Sequence, residues 1–152
     1  MTLRWSLIAS LLFTALALVP AGAHLMSLPN KIGMNAAEYL AAQQAYRGWA
    51  FSGVLILLGL LATGILTFAV RDQPALASLA AIAFCSLVAS QVAFWLLTFP
   101  GNAQTHNWTN LPANWEFLRR RWELGHAIGA VLGLTALFTL LALDFRLVAT
   151  RA

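Results

Sequence analysis

Polar positions divide this chain into long apolar stretches. No charged residue occurs between Arg4 and Lys31, between Arg47 and Arg71, between Asp72 and Glu116, or between Glu123 and Asp144. An uncharged apolar run of about 20 residues crosses a hydrocarbon core as a helix. The third window is too long for one crossing, and Pro100-Gly101 is expected to end its helix. The pattern predicts four spans, at about 4–23, 48–70, 75–99 and 124–145, in one domain covering 1–152. The intervening segments, 24–47 and 100–123, hold most of the polar side chains.

Local signals refine this outline. Pro20 and Gly22 are expected to end or kink the first span. Residues 1–23 also have the features of a signal peptide, with Arg4, an apolar run and Ala21-Gly22-Ala23. Retention as a span is the expectation, because it completes an even, compact bundle. Asn35 with Glu38 three residues on has the form of a capping box. The helix it opens is expected to run unbroken to Val70, roughly 50 Å at 1.5 Å per residue. Tyr39, Ala42, Tyr46 and Trp49 then share one face. Arg71-Asp72-Gln73-Pro74 reads as a turn. Gln91, Trp95 and Thr98 share a face that leads toward the central loop. Pro112 is expected to open a last helix reaching about Phe145, again longer than a crossing requires. Both overshoots fall on one side of the bundle. The expected fold is all-α: an integral membrane four-helix bundle whose helical extensions and polar loop form a cap on one side.

Composition agrees. The chain is 61% hydrophobic and 9% charged, against roughly 25% charged in a soluble domain. Its net charge of +4 comes from a few basic residues at span ends, where headgroups lie. Membrane lipid is therefore the expected partner, and nucleic acid is excluded. The single cysteine, Cys85, allows no intrachain disulfide and reads as a packing residue. Basic residues are shared almost evenly between the two sides. With the central arginines held inside a cap, Arg4 and the tail favour both termini in the cytoplasm, in a bacterial inner membrane. Oligomeric state is not legible.

The candidate chemistry lies at the cap. At 100° per residue, Trp115, Arg119, Trp122, His126, Gly129 and Gly133 stack on one face of the last helix, with Glu123 at its edge. Gly125, Gly129 and Gly133 form a small-xxx-small run suited to close helix approach. An ionisable group facing inward near the start of a span is a functional candidate. His126 and Arg119 are thus the candidate catalytic pair, with His126 as base and Arg119 as stabiliser of an anion. Asn102, Trp115, Trp122, Glu123, Tyr46 and Trp95 are candidate substrate contacts. Glu123-x-x-His126 is one carboxylate–histidine pair, whereas a bundle metal site converges two with further carboxylates; no metal or cofactor is expected. Blander readings stand beside these. Tryptophans gather at membrane interfaces without any ligand, Arg119 is equally suited to an ion pair with Glu123 or Glu38, and His126 to a bond between helices.

Phe99-Pro100-Gly101-Asn102, Asn107-Trp108, the run Trp115-Glu116-Phe117-Leu118-Arg119-Arg120-Arg121-Trp122-Glu123 and His126 together resemble the anthrone-oxygenase-like family of small four-span membrane proteins. Characterised members of that family resemble cofactor-independent oxygenases that oxidise a polycyclic phenolic to a quinone. The resemblance implies a site at Asn102, Arg119, Trp122 and His126, and an apolar aromatic or quinone-like substrate. The motif covers about the last third of the chain. The competing expectation is a non-catalytic membrane protein that binds lipid or serves as an accessory subunit. A transporter is disfavoured, because no charge lies at mid-membrane and no repeat halves are visible.

Overall fold

The computed structural model describes residues 2–149. Helix α1 spans Thr2–Lys31 and α2 spans Ala36–Gln44. A 3-10 turn, Trp49–Ser52, leads into α3, Gly53–Ala69. Helix α4, Pro74–Ala93, passes through a π turn at Phe94–Thr98 into α5, Phe99–Gln104. Helix α6 spans Trp115–Ala149. The described residues include no strand. Four helical stretches are long and apolar enough to cross a membrane: Leu3–Lys31, Trp49–Ala69, Pro74–Gln104 and Trp115–Ala149.

The packing is inside-out relative to a soluble bundle. In the most apolar part of each span only 22% to 33% of residues are buried. On α1, Ile8, Leu12, Leu16 and Val19 are exposed, whereas Ser10, Thr14, His24 and Lys31 are buried. In water this distribution would be costly, but lipid tails solvate the outer face and leave the polar stripe to face protein. The architecture is that of a multi-pass membrane protein. Away from the cap, Leu66, Leu87, Leu140 and Leu143 anchor the apolar core. The cap has its own small core of Tyr39, Trp108, Leu118 and Trp122.

Four boundaries differ from the sequence expectation. Helix α1 does not stop at Pro20 or Gly22; it continues through Pro29 to Lys31. A backbone lying in lipid or packed on neighbours satisfies its polar groups best by remaining helical. The helix opened by Asn35 does not reach Val70. It breaks at 45–48, where Gly48 adopts φ 87°, a left-handed conformation that glycine supplies without strain. Pro100 does not break the third span. It lies in the first turn of α5, where a missing N–H is not needed. Helix α6 starts at Trp115, whose N–H reaches Pro112 O at 2.9 Å, and runs on to Ala149 rather than ending near Phe145.

The glycine run on α6 serves two neighbours. A Cβ at Gly125 would collide with Thr98 Oγ1 and lie 3.0 Å from Leu97 Cβ in the π turn. One at Gly133 would lie 2.9 Å from Leu18 Cδ2 on α1. The two glycines thus seat α6 against both the π turn and α1.

Candidate functional site

Helices α1, α2 and α6 meet beneath the cap around one buried carboxylate. Glu123, 1% exposed, has Lys31 Nζ at 3.0 Å from its Oε1, and Lys31 is itself 3% exposed. The Tyr39 hydroxyl donates to the same oxygen at 3.0 Å. The other oxygen, Oε2, is buried without a hydrogen-bond partner. The lysine ammonium lies 4.8 Å from the Tyr46 ring centroid and 5.0 Å from that of Trp122. A cation over two aromatic faces gains from both quadrupoles. Burial, and then the Glu123 charge, hold the Tyr39 phenol above the ordinary tyrosine range; a hydrogen bond with Gln43 and the Arg119 charge act in the opposite direction.

One turn deeper, two imidazoles stack. The His24 and His126 rings have centroids 4.0 Å apart and planes 24° apart. Trp122 packs edge-on to His24 at 4.9 Å and to His126 at 4.2 Å. Tyr46 lies 4.3 Å from His24 and Trp49 lies 5.7 Å from it. His24 Nδ1 is buried without a partner. Among the described residues no three His, Cys, Asp or Glu side chains gather as a metal-binding group.

The walls are fixed by hydrogen bonds from the loop. Asn102 Oδ1 accepts from Trp122 Nε1 at 2.7 Å and from Trp108 Nε1 at 3.2 Å. His106, Asn107 and Trp108 all have positive φ, at 49°, 56° and 59°. Three consecutive left-handed non-glycine residues are strained, and their effect is to turn the Trp108 indole back under the cap. Thr105 Oγ1 accepts the Trp108 N–H at 2.9 Å. Gln44 Nε2 donates to Trp108 O at 2.9 Å, which ties α2 to this loop.

The sequence-derived candidates fall into three groups. His126, Trp122, Glu123 and Tyr46 come together, and Asn102 is bonded to Trp122. Arg119 and Trp115 belong to the cap instead: the guanidinium lies 4.6 Å from the Trp115 ring centroid and 5.4 Å from that of Tyr39. Arg119 Nη1 donates to Met34 O at 2.5 Å. Its ion pair with Glu123 or Glu38 is not formed, because Lys31 takes Glu123 and Glu38 completes the capping box, accepting from Asn35 N at 2.9 Å. Trp95 lies apart from the cluster. It is 57% exposed and packs on Phe94 and Phe99. The π turn is the reason: its wider winding breaks the α-helical register from Gln91 to Thr98, so Thr98 is buried while Trp95 faces outward.

Two central residues, His24 and Lys31, lie in the 24–47 segment that the sequence assigns to the cap, but not among the residues it assigns to catalysis or substrate contact. They are seven apart, so they share a face of α1 once that helix is carried past Pro20. Two open surface hollows lie elsewhere: one of about 420 Å³ beside Trp115 and Arg120, the other of about 550 Å³ on the outer face of α3 and α4. Compared with protein-family models, characterised proteins and solved structures, the chain matches none.

Proposed function

We propose that this protein is a membrane oxidoreductase or oxygenase acting on an apolar aromatic or quinone-like molecule that reaches the cap-end cluster from the bilayer. The observation that carries this reading is the burial of His24, Lys31 and Glu123, with His24 Nδ1 and Glu123 Oε2 among the buried side-chain atoms that lack a hydrogen-bond partner. A cap needed only for stability is built as well or better from apolar side chains, since a buried ion pair contributes little net stability. Ionisable groups kept at the edge of a membrane core are functional candidates by default. In this reading a neutral imidazole, His126 or His24, takes the proton of a ring hydroxyl. Lys31, oriented by Glu123, supplies the positive field for the anion that forms. Trp122, Tyr46 and Trp49 present aromatic faces to a flat ring system. Arg119 holds the cap through Met34 and serves the site indirectly. The resemblance to anthrone-oxygenase-like proteins adds dioxygen as the oxidant and requires no cofactor.

One observation favours a second reading. The rings of the cluster touch one another, as they would in a non-catalytic lipid-binding or accessory protein whose cap residues serve only to pair with each other. The test is oxygen-dependent conversion of membrane-soluble phenolic ring compounds by the protein in nanodiscs. The enzyme reading expects conversion that is lost in His126→Ala and in His24→Ala. Conversion unchanged in both variants overturns the proposed roles, and a folded wild type that converts none supports the second reading.

A further inference from the structure

We infer that the outer groove between α3 and α4 is a binding site for an anionic phospholipid, with one acyl chain in the groove and the phosphate on Arg71. The groove, about 550 Å³, is lined by Leu60, Leu61, Gly64, Ile65 and Phe68 of α3 and by Phe84 of α4. At Gly64 the Phe84 ring comes within 3.4 Å of where a Cβ would stand, so the two helices approach closely there. From residue 60 to residue 68 the groove runs about 12 Å along α3, the shape of an extended hydrocarbon chain rather than of a globular knob.

The charge sits at one end only. Arg71 follows α3 directly, and its guanidinium lies over the Phe68 ring, 4.0 Å from the centroid. Nη1 donates to Phe68 O at 3.0 Å. The neighbouring carboxylate is loosely placed, with Asp72 Oδ2 at 3.7 Å from Nη2. Arg71 is 54% exposed and Asp72 86% exposed, so a phosphate can compete with the Asp72 carboxylate for the guanidinium. Arginine suits this position because it stacks on an aromatic ring and still binds phosphate through two parallel N–H groups. A second copy of the chain is a poorer occupant. In a twofold contact on this face the two Arg71 side chains would meet at the same membrane depth and repel.

Native mass spectrometry of the full chain, with phosphatidylglycerol and phosphatidylcholine of identical acyl chains, tests the inference. Wild type is expected to retain phosphatidylglycerol about fivefold better. Arg71→Gln, an exposed change outside the core, is expected to abolish that preference. Gly64→Leu, which adds bulk to the groove lining, is expected to weaken retention of both lipids. Equal retention of the two lipids by wild type, or a preference that survives Arg71→Gln, overturns the inference. So does an efficient cross-link between two copies carrying Leu61→Cys, since the groove would then be an interface.

Discussion

His24 and His126, from the first and last helices, stack with their ring centroids 4.0 Å apart, and Trp122 packs edge-on to both. This contact closes the bundle at the cap end and sets two imidazoles side by side in a mostly aromatic surround. Next to it lies the Lys31–Glu123 pair, so both the stacked imidazoles and the ion pair depend on α1 and α6 keeping their register.

The Lys31–Glu123 pair should behave as a unit. Lys31→Met alone leaves a buried carboxylate uncompensated and is expected to cost about 3–5 kcal/mol. Lys31→Met combined with Glu123→Leu removes both charges and should recover most of that loss. Reversible unfolding in mixed micelles, read as a double-mutant cycle, measures the coupling. Additive losses would show that the two side chains do not interact as described.

Tyr39 should stay protonated at pH values that ionise a free tyrosine. Burial, and then the neighbouring Glu123 charge, hold its pKa above that of a free tyrosine. Above pH 10 the unfolded chain has lost this proton while the native state keeps it, so stability falls as pH rises. Below pH 10 both states hold the proton and the contribution is constant. Alkaline difference absorbance is expected to show fewer ionised tyrosines in the native protein than in the denatured chain. Tyr39→Phe should flatten the alkaline loss of stability. It also removes a bond to a carboxylate, a cost of about 1.5–3 kcal/mol.

Asn102 is the shared acceptor of two indoles. Asn102→Leu orphans the Trp122 and Trp108 N–H groups, each at a cost of about 1–3 kcal/mol. Asn102→Asp keeps an acceptor and should be milder. Tryptophan emission should shift in the leucine variant and change little in the aspartate variant. Equal effects would show that the side-chain oxygen is not what positions the rings.

The capping box predicts a smaller local effect. Asn35 Oδ1 accepts from Glu38 N at 3.0 Å, and Asn35→Ala is expected to cost about 1 kcal/mol. Hydrogen exchange should rise in α2 without rising in α6.

The spans were legible because charge in a membrane chain is confined to their ends, so its absence marks each crossing. The capping box was legible because it is written in two residues three apart. The α6 face was legible because nothing interrupts its period. The points that differ have separate causes. Pro20 would end a helix in water, but in lipid or against neighbouring helices the backbone has no better alternative. With α1 stopped at Pro20, His24 and Lys31 fell in a connector and their shared face was lost. Trp95 was assigned inward because a π turn leaves no mark in an α-helical period. Lys31 rather than Arg119 makes the ion pair with Glu123; the partner that holds Arg119, Met34 O, is a backbone atom of a distant segment and leaves no mark in the sequence.

In the proposed function the His24–His126 cluster receives a flat apolar molecule from the bilayer. Quenching of tryptophan emission in reconstituted vesicles by 2-naphthol tests it most directly, because Trp49 and Trp122 flank the imidazoles. Saturable quenching in wild type, lost in both His24→Leu and His126→Leu, is the expected result. Quenching that rises only in proportion to naphthol partitioned into lipid, and is the same in all three proteins, would contradict it.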